Sequence, residues 1–85
     1  MPYIYQNRRY LFDGYLEEIA VNIDSSGDLN YCISKLLHLL VKKEGLRYET
    51  INSLMGTLDC ASKEFYRKVA APYENLKEQD NGGLY

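Results

Sequence analysis

Apolar residues recur along most of the chain at intervals of three and four, the spacing of one face of an α-helix. Leu16, Ile19, Ala20 and Ile23 form the first stripe. Asp13 stands where its carboxylate can accept from the open amides of a first turn, and Glu17 and Glu18 suit the positive end of a helix. The turn-forming cluster Asp24-Ser25-Ser26-Gly27 ends that element, predicting a helix over 13–24. Ser25 and Asp28 then have the spacing of a capping box, and Leu29, Ile33, Leu36, Leu37 and Leu40 make a second stripe over 28–44. Leu39 and Val41 widen it, so this helix is expected to be covered on two sides. Lys42 and Lys43 suit its negative end, and Gly45 can take the left-handed conformation that closes it.

The third stripe is the longest. Ile51, Met55, Leu58, Ser62, Phe65, Val69, Pro72 and Leu76 alternate spacings of four and three, a 3.5-residue repeat of the kind that makes a coiled-coil seam. It predicts a helix over 48–71, about 36 Å long, more than one small domain needs. Gly56 is its weak link, or a place for close backbone approach. Pro72 is expected to kink the rod, since its ring collides with the carbonyl four residues back, and a short helix over 72–78 follows. Residues 80–85 are expected to be a flexible tail. Residues 1–12 carry Tyr3, Tyr5, Tyr10 and Phe12 without a stable period and read as an aromatic arm laid on the helices, holding at most one helical turn. The expected fold is therefore all-α: a single three-helix domain over 1–79 that oligomerises through helix packing.

Length sharpens the last point. Of 85 residues 46% are hydrophobic, but nine of these are Tyr, which leaves few side chains for a core. A chain this short buries only about 60–65% of its unfolded surface, so a second subunit would add to a thin margin. Ten basic against twelve acidic residues, with pI ≈ 5.3, argue against a nucleic-acid or anionic-membrane binder. No apolar run approaches the ~20 residues of a membrane span. The N-terminal charges follow the apolar residues, the reverse of a signal peptide. Cys32 and Cys60 read as free, mostly buried thiols, consistent with the cytoplasm.

Candidate chemistry is sparse. His38 is the one histidine, and catalysis would need it beside Cys60, Asp59 or Glu64; a histidine at the helix edge bonded to a carboxylate is the plainer account. No pair of metal ligands has the spacing of a known site, and no cofactor is expected. Asn30, Ser34 and His38 make one polar stripe, and Asn52, Gly56, Asp59, Cys60, Lys63 and Arg67 another; face to face they would form a polar helix contact or a pocket wall. The tyrosines suit either helix seams or stacking on nucleobases, with arginines alongside for phosphate. Leu40 to Tyr48 resembles a helix-turn-helix corner, but Glu44, Glu49 and Asp59 put negative charge where phosphates would lie.

Met1-Pro2-Tyr3-Ile4, Leu29-Asn30-Tyr31, Glu64-Phe65-Tyr66-Arg67, Ala71-Pro72-Tyr73-Glu74 and the closing Asn81-Gly82 with Tyr85 resemble a family of short bacteriophage and prophage proteins over nearly the whole chain. Members often read Asp-Pro where this chain has Asp13-Gly14, which puts only the helix start in question. The resemblance implies a phage accessory or counter-defence factor in the cytoplasm of an infected host. Such a protein acts by binding rather than catalysis. One reading is an oligomer that sequesters a cyclic or ADP-ribose-type nucleotide in a pocket between subunits lined by Tyr3, Arg8, Arg9, Asn30, His38, Tyr66 and Arg67. The alternative is a protein-interaction module that inhibits or scaffolds a host defence protein or a phage component. A DNA-binding regulator ranks behind both.

Overall fold

A computed structural model describes residues 3–84; Met1, Pro2 and Tyr85, which contribute to the resemblance above, lie outside the described residues. Every regular element among those described is helical. The order is a 3-10 helix (Gln6–Leu11), α1 (Asp13–Asn22), α2 (Ser26–Glu44), α3 (Tyr48–Phe65), a π-helical turn (Tyr66–Ala70) and α4 (Ala71–Asn81).

Each boundary has a local cause. The arm is more ordered than its lack of period suggested. Arg8 N–H donates to the Tyr5 carbonyl and Phe12 N–H to the Arg9 carbonyl, both at 3.0 Å, the i to i−3 pattern of a 3-10 helix. Because the chain enters α1 already coiled, the cap position falls on Phe12, and Asp13 is the first helical residue instead of the cap. Its carboxylate still stands in the first turn, where negative charge is favoured. The arm's rings do not lie down as expected: Tyr5 is 82% exposed and Tyr10 77%.

α1 stops at Asn22, two residues short of the predicted end, because Ile23 turns extended (φ −81°, ψ 116°). The capping box pulls it out. Ser25 Oγ accepts from Asp28 N–H at 3.1 Å, while Asp28 Oδ2 accepts from Asp24 N–H at 3.0 Å. The return bond lands one residue earlier than in the usual box, and α2 starts at Ser26 instead of residue 28. At the other end Gly45 has φ 99° and ψ 149° and donates to the Val41 carbonyl at 2.8 Å, closing α2 where predicted. Only glycine tolerates that backbone readily.

The region around Pro72 departs most from expectation. Helical backbone runs without a break from Tyr48 to Asn81, straight through the proline. Ala71 N–H donates to the Tyr66 carbonyl, five residues back, so the turn just ahead of Pro72 is widened by one residue. Opening that turn relieves the clash of the ring with the carbonyl of Lys68 and removes the need for the amide hydrogen that Pro72 lacks. Pro72 then sits in the first turn of α4, where proline is well tolerated. α4 continues to Asn81 and ends at Gly82, which has φ 82° and donates to the Glu78 carbonyl at 2.8 Å. Asp80 and Asn81, read as tail from their turn-like composition, belong to the helix.

The described residues fall into two units, one of residues 3–54 and one from Met55 onward, with the division inside α3. In the first, the 3-10 helix packs on α1; in the second, the π turn packs on α4. Among the described residues neither contains a buried apolar side chain. Thr50, at 6% exposure, is the one buried residue among those described. Cys32 is half-buried and Cys60 exposed, so the expectation of mostly buried thiols fails with the expected core. Gly56 is not a close-approach site either, since a Cβ there would meet nothing within 4 Å.

Candidate functional site

The seven predicted ligand residues fall on both units. In the first, Tyr3 precedes the 3-10 helix, and Arg8 and Arg9 occupy its last turn. Arg9 Nη2 donates to the Ile4 carbonyl at 3.4 Å, which keeps that guanidinium close to its own segment. Asn30 and His38 lie on α2, both exposed. The polar stripe there is a local one: Ser34 Oγ donates to Asn30 Oδ1 at 3.1 Å, one turn away.

Tyr66 and Arg67 belong to the second unit and open the π turn. Arg67 Nη2 donates to both carboxylate oxygens of Glu64, at 2.8 and 3.1 Å. Tyr66 Oη donates to Glu74 Oε2 at 3.3 Å. The second polar stripe carries a further pair, Lys63 Nζ to Asp59 Oδ2 at 2.7 Å. That hydrogen bond, reinforced by the opposite charge, raises the pKa of Lys63 above the ordinary lysine value. Lys77 Nζ stands 5.6 Å from the centre of the Tyr73 ring, within cation–π range. The polar groups of this helix are thus largely engaged with each other.

Shallow depressions mark the surface. One, of about 340 Å³, lies at the corner between α2 and α3 and is lined by Glu44, Arg47, Glu49, Thr50, Ser53 and Leu54. Others lie along the end of α4, one of about 360 Å³ from Glu74 and Lys77 to Leu84 and one of about 420 Å³ against Asn75, Glu78, Gln79 and Gly83. None of the seven predicted residues lines these. Among the described residues no three His, Cys, Asp or Glu side chains converge as metal ligands would. No described helix is long and apolar enough to cross a membrane.

What the structure does present is unpartnered apolar surface. On α2, Leu29, Ile33, Leu36 and Leu39 stay exposed, Leu36 at 55%. On the helix of the second unit, Met55, Phe65 and Val69 do the same, with Phe65 at 64%. Reading the sequence for polar convergence missed Glu64 and Glu74 as partners of Arg67 and Tyr66. The Glu64–Arg67 spacing of three was a signal for the first. The second depends on the widened turn, which no spacing announced.

Fold and surface together define an all-α protein of amphipathic helices whose polar contacts are local. The chain belongs to the family described as Domain of unknown function (DUF6899), whose model matches residues 1–84. That description assigns no activity. Neither a curated protein nor a solved structure matches the chain.

Proposed function

We propose that the chain is a non-enzymatic binding module that works as an assembly of its own copies and docks a protein partner through its apolar helix faces. The observation that carries this reading is the missing core: no apolar side chain among the described residues is buried, although the helices carry apolar stripes and α2 is capped at both ends. Contiguous exposed apolar surface on a water-soluble chain marks an interaction site. Exposed tyrosines along the same elements fit that role, because a ring with a polar tip gives large contact area at small rotamer cost. Enclosing a small ligand is less well supported, since Tyr66, Arg67 and Asn30 already hold partners on their own helices.

Light-scattering mass after size exclusion tests the assembly, and a thermal-shift panel tests the class of ligand. The expected result is a mass that is a multiple of 9.9 kDa and no response to cyclic or ADP-ribose-type nucleotides. A single-chain mass at every concentration overturns the assembly. A nucleotide that raises the melting temperature by several degrees overturns protein docking in favour of ligand sequestration.

A further inference from the structure

We infer that the charge-free face of the second unit's helix, centred on Met55, Leu58, Phe65 and Val69, is the surface on which a second copy of this chain docks, copy against copy through the same face. The inference rests on the assembly proposed above and adds which surface forms it. From Met55 to Asn81 the backbone is one helical run, about 40 Å at 1.5 Å per residue. Along it Met55, Leu58, Ser62, Phe65 and Val69 keep the alternation of three and four without one charged residue. Met55 is 63% exposed, and Phe65 is as open. Beyond the π turn the face shifts. One extra residue in a turn sets the following helix back by roughly 100°. Tyr73 therefore continues the line of Phe65 and Val69, and Pro72 rotates out of it.

Charge says what covers this face. A two-fold contact brings identical surfaces together, so any unbalanced charge meets its own kind. This helix avoids that. Lys63, Arg67, Lys68 and Lys77 stand against Asp59, Glu64, Glu74, Glu78 and Asp80, a net of one negative charge. Two ion pairs, Asp59–Lys63 and Glu64–Arg67, close within the helix itself. A charge-free face on a nearly neutral helix suits a copy of itself better than a strongly charged partner.

The test compares the full-length chain with Phe65→Asp and with Leu36→Asp, which places the same charge on the exposed face of α2, each measured by light-scattering mass. The expected pattern is a multimeric wild type, a Phe65→Asp variant at the 9.9 kDa of one chain, and a Leu36→Asp variant unchanged from wild type. A multimer that survives Phe65→Asp and falls apart in Leu36→Asp overturns this face while leaving the assembly standing. A monomeric wild type removes the assembly itself. Should Phe65→Asp fail to fold, hydrogen exchange of the wild type decides the matter. Protection that rises with concentration in peptides over Met55–Val69 supports the face, and a rise confined to α2 overturns it.

Discussion

If copies of the chain supply one another's core, dilution alone should unfold it, and the size of the effect follows from what a single chain lacks. None of its helices buries an apolar side chain, and isolated helices shorter than about 12–15 residues are marginal in water. α1 has 10 residues, so it should not persist on its own. Dissociation and helix melting then form one transition, from a folded dimer to two unfolded chains. Each tenfold dilution shifts that equilibrium by about 1.4 kcal/mol per dimer, or about 0.7 kcal/mol per chain. An unfolding entropy of about 2.1 cal/mol/K per residue gives roughly 180 cal/mol/K for 85 residues. The midpoint should therefore fall by about 4 °C per tenfold dilution, and by about 12 °C over a thousandfold. Far-ultraviolet circular dichroism in cells of different path length measures it. A midpoint that stays fixed across that range, with full helicity, would refute the reasoning: the chain would then be hiding its apolar faces by itself.

Three further expectations follow from local structure. Ser25→Ala removes the acceptor for Asp28 N–H and should cost about 1 kcal/mol in denaturant unfolding, while Ser25→Thr should cost much less. Gly56→Ala and Gly45→Ala should act in opposite directions. At Gly56 a methyl meets open space inside a helix, predicting a gain of about 0.5–1 kcal/mol, whereas φ 99° at Gly45 predicts a loss of at least that size. Lys63 gives a pH signature. Its pKa is raised by Asp59, so the pair's contribution is complete below the ordinary lysine value and is lost as pH climbs through the raised one. The stability difference between wild type and Lys63→Met should be flat through neutrality and shrink only in strong alkali; a difference that shrinks on acidification toward neutral pH would contradict the assignment.

The helices were legible because their signals are short-range. Ser25 to Asp28 spans three residues and Gly45 acts at its own position, so propensity and capping fix these ends with no help from the rest of the chain. Where a neighbouring element intervenes, the reading slips. Asp13 has the composition of a cap, and nothing in its own neighbourhood tells that the chain arrives already coiled. The π turn was invisible for a related reason. The apolar alternation reads smoothly through Val69, Pro72 and Leu76, and only the Ala71-to-Tyr66 hydrogen bond exposes the added residue. A pocket between subunits rests on side chains from different copies, which periodicity does not encode; within one chain Arg67, Asn30 and Tyr66 bond neighbours three, four and eight positions away.

The same contrast bears on why the chain carries so many tyrosines and so little core. A self-sufficient small domain hides Leu, Ile and Val and leaves polar side chains outside. Here Leu36, Ile51 and Val69 are exposed alongside Tyr31, Tyr48 and Tyr66. Tyrosine at the rim of an apolar stripe lets that surface stay in water while unassembled and become dry once covered, because the hydroxyl keeps a partner in either state. Tyr66 illustrates it: its hydroxyl is held by Glu74 while the residue remains half exposed. An apolar edge built with such residues tolerates a period alone, which a subunit needs between synthesis and assembly. On the proposed assembly, the face of Met55, Leu58, Phe65 and Val69 would be an unfinished interior, completed when the same four side chains arrive from another chain.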